Sequence, residues 1–306
     1  MEDVPTPEPR PDQVLVRTSA IGVNRADLGR GPVGGSATGE PYIPGLDVGG
    51  TIEAIGSEVT GWKEGDPVIA LARSAYAEFV PSRAVLAYRP PEGMSIVDAA
   101  SIPCVFLTAW YGLKKLGRMQ PGETVLVHAA GSGVGTAAIQ IAKASGARVL
   151  TTAGSDAKVA MGVELGAEAG VNYSTQDVTA SLQRLTDGQG VDVVLDSVGG
   201  AVFDATMKAL AEGGRVVNVG APAGARSEQD QGAMEERGQS AQQSVVFNDA
   251  AEDAEGAGWA QLKAWFEDGT MRPIVDRTLP WEEAAEAQRL LAERVIFGKI
   301  VLTVGG

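Results

Sequence analysis

An α/β fold, with a doubly wound parallel sheet inserted in a smaller β-barrel domain, is predicted by three observations on the chain. The first hundred residues read as short β segments broken by Gly, Pro and Asp clusters. From about Ile96 onward, apolar runs of four to six residues alternate with helical patterns of ten or more, the pattern of parallel strands joined by crossover helices. After Gly269 the barrel texture returns. The expected divisions are 1–100 for the barrel, 101–268 for the doubly wound domain and 269–306 for the return.

The barrel strands are expected at 13–17, 48–55, 67–72 and 76–81, short segments separated by Gly, Pro and Asp clusters. Six parallel strands follow, at 124–128, 148–152, 169–172, 192–196, 215–219 and from Ser244 to Asn248. Helices at 133–144, 157–165, 200–210 and 259–267 each offer an apolar face at three- and four-residue spacing. Together they make a doubly wound arrangement. The return holds a strand at 277–279, a helix from Trp281 to about Glu293, and a last strand at 299–304. The polar stretch 221–243 reads as a loop with one short helix.

The chain has 306 residues, 44% hydrophobic and 21% charged, enough for a sizeable core and for two domains. Its 25 Lys and Arg against 39 Asp and Glu leave a net charge of −14. That balance repels polyanions and argues against nucleic acid or an anionic membrane surface as partner. No apolar run reaches the roughly eighteen residues of a membrane span, and the Met1-Glu-Asp-Val-Pro start lacks the basic and apolar regions of a signal peptide. A cytoplasmic protein is expected. Cys104 and His128 are the sole Cys and His; a catalytic zinc draws three ligands from His, Cys and carboxylates, so no zinc is expected. No loop has the spaced acids of a calcium site either.

Chemistry concentrates in Val125-Leu-Val-His-Ala-Ala-Gly-Ser-Gly-Val-Gly-Thr136, a strand that runs into small residues and then a helix. A helix start carries unpaired amide donors and the positive dipole end, so a pyrophosphate settles there if no side chain blocks it. Gly131, Gly133 and Gly135 clear the approach, and Ala130, Ser132 and Val134 complete the turn. Ala130 and Ser132 stand where the simplest G-x-G-x-x-G spacing has Gly, and both are small. A dinucleotide is expected here.

Which dinucleotide is read at the end of the second parallel strand, where an NAD site commonly has an acid for the ribose hydroxyls. Thr151-Thr-Ala-Gly-Ser-Asp-Ala-Lys158 stands there instead. From Thr152 to Gly154 no acid ends the strand, while Ser155 and Lys158 can donate to a 2′-phosphate. NADPH is the expected cofactor. Asp156 counts against this, and its expected role is N-cap of the following helix.

Five segments, taken in order, resemble the zinc-free quinone oxidoreductase family of the medium-chain dehydrogenase/reductase superfamily. They are Gly22-Val-Asn-Arg-Ala-Asp27, Pro44-Gly-Leu-Asp-Val-Gly-Gly50, the stretch from His128 to Gly135, the stretch from Ala153 to Lys158, and Gly298-Lys-Ile-Val301. The resemblance runs over nearly the whole chain and implies a GroES-like barrel, a Rossmann domain, a cleft between them, and hydride transfer from NADPH to quinones, enals or enones. It places Asn24 and Thr108 near the nicotinamide, has Ser155, Lys158 and Tyr173 hold the adenosine phosphate, and sets Val219, Gly220 and Phe247 beside the nicotinamide. Zinc-bearing relatives have a Cys in the first segment and Gly-His-Glu in the second, where this chain has Asn24 and Leu46-Asp47. Family members carry a strand and turn ahead of the equivalent of Val4-Pro-Thr-Pro-Glu-Pro9, so an amino-terminal barrel strand is expected to be missing. They also often place a Tyr soon after an Arg-x-Gly, and Arg30-Gly-Pro-Val-Gly34 has none.

Reducing a conjugated carbonyl or a quinone leaves charge on an oxygen that needs hydrogen-bond donors. The expectation is that Asn24 and bound water stabilise it and that solvent supplies the proton. Tyr42, in Pro41-Tyr-Ile-Pro44, is the alternative acid, or else an apolar anchor of the barrel; His128 is expected to be structural. Two other activities remain open: an enoyl-thioester reductase, and an NADPH-binding sensor or crystallin-like protein with little turnover. A homodimer is expected through an edge strand from Ser244 to Asn248, because an exposed edge must be blunted or paired and similar enzymes pair two such edges.

Overall fold

A computed structural model describes residues 2–29, 42–220, 231–253 and 256–305. The contacts divide the chain into two units, Met1–Leu107 with Ala250–Gly306, and Thr108–Asp249. The segment 30–34 and the first ten residues of the polar stretch 221–243 lie outside the described residues.

The first unit is organised by one long strand, β1 (Gln13–Val23). It pairs antiparallel with β2 (Asp47–Ile55) along its length, with register shifts between Leu15 and Val16 and between Thr18 and Ala20. Such bulges bend a strand and strengthen its twist. β2 continues to β3 (Pro67–Leu71), β4 (Phe79–Arg83) returns to pair with the first half of β1, and the short β5 (Ala87–Tyr88) borders β3. Val14, Val16, Ile21, Val48, Ile52, Val68 and Val80 fill the interior. The strand expected at 76–81 starts only at Phe79; the Tyr76 amide is engaged elsewhere, donating to Pro44 O at 2.9 Å, and its hydroxyl donates to Asp27 Oδ2 at 3.1 Å. A helix at Pro103–Trp110 then leads through a π-helical turn, Tyr111–Leu116, into the second unit.

The second unit holds β6 (Thr124–Val127), β7 (Arg148–Ala153), β8 (Ala169–Asn172), β9 (Val191–Asp196), β10 (Leu210–Asn218) and β11 (Ser240–Gln243). They form one parallel sheet in the order β11-β10-β9-β6-β7-β8. The chain order therefore reverses beside β6, the switch point at which open α/β sheets bind ligands. Val125, Leu126, Val127, Val193 and Val194 are fully buried, as expected of central parallel strands covered on both faces. The crossover helices are Gly133–Ala144, Asp156–Glu164, Val178–Leu185 and Gly200–Met207. Of these, Val178–Leu185 is absent from the sequence expectations although Asp177 marks its start, accepting from Ala180 N at 2.9 Å.

The segment from Ser244 to Asn248 corrects the sequence expectation. It is not a strand. The edge strand is β11, four residues earlier, and Val246–Glu252 is a helix. Asp249 Oδ2 accepts from Ser244 Oγ at 2.7 Å and from Val245 N at 3.1 Å, which ties down the helix start. The one short helix expected within 221–243 is Gln231–Glu236.

The return also comes earlier than 269. The helix Ala257–Glu267 groups with the first unit, since Trp259 packs on Tyr88 and Phe266 on Phe106 with ring centroids 5.1 and 4.8 Å apart. β12 (Val275–Pro280) and β13 (Lys299–Thr303) then complete the first sheet in the order β12-β13-β1-β2-β3-β5. β13 pairs with the second half of β1, from Ala20 to Val23, which brings Lys299 to the segment that carries Asn24.

Candidate functional site

In the second unit the glycine turn has the form that phosphate binding requires. Ser132 caps the helix Gly133–Ala144, its Oγ accepting from Gly135 N at 2.9 Å. That leaves the Gly133 and Val134 amides at the helix start without an intrahelical acceptor. Ala129 is held in the left-handed region at φ 57, and a Cβ added to Gly135 would lie 2.1 Å from Ala129 O. Only Gly fits there. Ala130 is fully buried, with its amide on Thr152 O at 2.8 Å, so it packs the turn against β7 and leaves the approach to its neighbours.

At the end of β7 the loop through Gly154 and Ser155 is sewn to the loop after β8. Tyr173 N donates to Ala153 O and Ser174 Oγ donates to Gly154 O, both at 3.0 Å. A Cβ on Gly154 would lie 3.0 Å from the Tyr173 hydroxyl oxygen. The structure therefore sets Gly154 against Tyr173, with Thr152 on the end of β7 and Ser155 and Lys158 at the start of the helix that follows. It also corrects the expected cap: Ser155 is the N-cap of Asp156–Glu164, with Lys158 N on its Oγ, and Asp156 is the first helical residue. Because Ser155 accepts in this bond, its own hydroxyl hydrogen stays available to a ligand. The Thr152 Oγ1 is buried without a partner among the described residues. A hydroxyl donor, a Lys and a phenol, with no carboxylate ending β7, form a donor set that fits a 2′-phosphate.

At the neighbouring strand ends His128 is fully buried, Nδ1 on Asp196 Oδ1 at 2.9 Å and Nε2 on Thr206 Oγ1 at 3.0 Å. Burial opposes the Asp196 charge, but hydrogen bonds from His128 and from the Gly199 and Val198 amides outweigh it and hold that carboxyl well below the usual range. The pair fixes the loop after β9, whose Ser197 Oγ donates to His128 O. Both ring nitrogens of His128 are thus engaged in the interior. Val219 and Gly220 follow directly on β10, with Val219 N on Asp196 O at 2.8 Å. Phe247 lies on the helix Val246–Glu252, not on a strand beside them. Thr108 is a buried residue of the helix Pro103–Trp110.

In the first unit a buried polar cluster occupies the two segments where zinc-bearing relatives were expected to differ. Asn24 Nδ2 donates to Gly22 O at 3.0 Å and to Asp47 Oδ2 at 2.8 Å, while its Oδ1 accepts from Lys299 Nζ at 2.7 Å. An ammonium only donates and a carboxylate only accepts, which fixes the orientation of the amide. Both amide hydrogens are then used within the chain. In this arrangement Asn24 bridges Lys299 and Asp47. Lys299 Nζ also donates to Asp47 Oδ2 at 3.1 Å, and Cys104 N donates to Asp47 Oδ1 at 2.6 Å. Burial pushes the Asp47 carboxyl up and the Lys299 ammonium pushes it back. Beside them Asp27 Oδ2 accepts from Asn24 N at 2.8 Å and from Tyr76, while Oδ1 is buried without a partner among the described residues.

Burial pushes the Asp27 carboxyl up to about 6, against the Asn24 hydrogen bond and the Lys299 charge. Tyr42 is 40% exposed and takes no part in this cluster. Sequence reasoning missed Asp27, Asp47, Tyr76 and Lys299 as site members. All but Tyr76 stood inside quoted motifs, and a Lys within an apolar strand such as Lys299-Ile-Val-Leu was the available signal. Among the described residues no three His, Cys, Asp or Glu side chains gather as metal ligands, and no helix is long and apolar enough to cross a membrane.

Comparison with known proteins agrees with this architecture. The family described as alcohol dehydrogenase GroES-like domain matches residues 10–84, and that described as zinc-binding dehydrogenase matches residues 165–302. The quinone oxidoreductase of Sus scrofa is 31% identical over 98% of this chain and 92% of its own length. A phenolphthiocerol/phthiocerol polyketide synthase polypeptide of Mycobacterium tuberculosis is 36% identical over 99% of this chain, which spans 14% of that protein. Among solved structures, a mycobacterial protein complexed with NADPH superposes with a TM-score of 0.90 at 31% identity, over 99% of this chain and 94% of the other. The CurK enoyl reductase gives 0.86 at 27% identity, over 99% and 94%. With a GroES-like unit, a Rossmann sheet and a full-length quinone oxidoreductase relative, the chain belongs to the zinc-free quinone oxidoreductase family of the medium-chain dehydrogenase/reductase superfamily.

Proposed function

We propose that the protein is an NADPH-dependent reductase that transfers hydride to a quinone, an enone or an enal without zinc, as a cytoplasmic homodimer. The observation that carries the cofactor choice is the end of β7, where Ser155 and Lys158 open the next helix, Tyr173 packs against Gly154, and no strand-ending acid awaits the ribose. Ser132 and the Gly133 and Val134 amides would hold the pyrophosphate, and Val219 and Gly220 would border the nicotinamide. When bound, NADPH supplies the hydride. The Asn24–Asp47–Lys299 cluster holds the first unit's motif segments in place, and the proton reaches the product oxygen from solvent.

The likeness to a polyketide synthase and to an enoyl reductase favours a second reading, reduction of an enoyl thioester. NADPH oxidation with quinones, enones and enoyl thioesters, in the presence of a chelator, separates the readings. Turnover confined to thioesters favours the second, and NADPH binding with no turnover favours a sensor. Lys158→Ala is expected to weaken NADPH binding about ten- to a hundred-fold, the effect of losing a charge-assisted bond. Unchanged affinity would remove Lys158 from the site.

A further inference from the structure

Asp156 is an acid at the adenosine end of the proposed site, and the structure does not leave it free. Asn172 Nδ2 donates to Asp156 Oδ1 at 2.8 Å. Asn172 is the last residue of β8, paired in register with Ala153 at the end of β7, and is only 5% exposed. Every polar group of Asn172 is used: its N donates to Gln176 Oε1 at 2.8 Å, its Oδ1 accepts from Ser174 N at 3.0 Å, and its carbonyl accepts from Thr175 N and Gln176 N. The side chain is therefore a rigid donor, and it fixes the rotamer of an otherwise exposed carboxylate.

A free carboxylate at this place would act in two ways. It could accept from the ribose hydroxyls of NADH, and it would repel a 2′-phosphate carrying up to two negative charges. Asn172 occupies one of its oxygens and turns it to the β8 side. We infer that Asn172 is a specificity-determining positioning residue that secures the preference for NADPH by tethering Asp156. The inference rests on the proposed NADPH site of Ser155, Lys158 and Tyr173.

The alternative is that Asn172 only fastens two loops together. Titration of NADPH and NADH into wild type, Asn172→Ala, Asp156→Ala and the double variant decides between them without any substrate. Two charges about 6 Å from a third in water interact weakly enough that the expected change is about three- to ten-fold. Asn172→Ala should raise the NADPH Kd by that factor, leave the NADH Kd unchanged or lower, and be restored by adding Asp156→Ala. Equal losses for both cofactors that Asp156→Ala does not restore would overturn the inference in favour of a fastening role.

Asp156→Ala alone covers the case in which Asn172→Ala does not fold. A less than two-fold change in NADPH affinity is expected, because the carboxylate is already held aside, and a gain of ten-fold or more would overturn the tether. A wild-type chain that prefers NADH overturns the cofactor reading and the inference with it. A wild-type preference for NADPH that stays unmoved in Asn172→Ala overturns the inference alone.

Discussion

Burial raises the Asp27 carboxyl above the usual carboxylate range, and this fixes the sign of its contribution to stability. Its carboxyl is pushed from 3.8 to about 6 by burial. The folded state therefore binds the proton more tightly than the unfolded state. The contribution is full below about pH 4 and is lost as pH rises to about 6. That rise in pKa corresponds to about 3 kcal/mol as an upper bound. In urea titrations, the stability of wild type relative to Asp27→Asn is expected to fall by about 1–3 kcal/mol between pH 4.5 and 7.5, whereas a constant difference would show an unshifted carboxyl. Lys299 makes a complementary case. Removing one member of a buried ion pair strands the other, so Lys299→Met should cost about 3–5 kcal/mol, and adding Asp47→Asn should recover part of it. Additive losses in the double variant would show that the two side chains are not coupled.

Among the elements, the glycine turn and the edge strand show what sequence can and cannot reveal. Gly135 lies in the first turn of its helix, where Ala would ordinarily stabilise by about 1 kcal/mol. The 2.1 Å approach of the added Cβ to Ala129 O decides otherwise. Gly135→Ala is expected to destabilise by about 1–3 kcal/mol, the usual result of overpacking, and to weaken NADPH binding; a raised melting temperature with intact binding would refute the geometry. The turn was legible because strand, small residues and helix follow one another within twelve positions. The edge strand was not. Val245-Val-Phe carries the apolar signal of a strand, yet Asp249 organises it as a helix, while the true edge, Ser240-Ala-Gln-Gln243, is polar because its surface faces solvent. Lys299 was hidden for another reason: its partner Asp47 is 252 positions away, and only the pairing of β13 with β1 brings it to that end of the sheet.

For the whole molecule, the displaced edge strand moves the expected dimer contact from Ser244–Asn248 to β11. The last three residues of β11 are exposed, and among the described residues β10 is its sole strand neighbour. Ser244 N donates to Asn218 O on the β10 side, and hydrogen-bonding direction alternates along a strand. Ala241 and Gln243 therefore turn their amides outward, where a second copy can pair antiparallel about a two-fold axis. Each copy carries −14, so long-range repulsion opposes association and salt should strengthen it. The expected result in light scattering is a dimer mass at micromolar concentration, held more tightly at 0.5 M than at 0.05 M salt. Ala241→Pro removes one outward amide without touching the pairing with β10, and proline is tolerated on an edge strand. It should give a folded monomer that still binds NADPH. A wild-type monomer would remove the dimer altogether, and an Ala241→Pro variant that remains dimeric would place the contact on another surface.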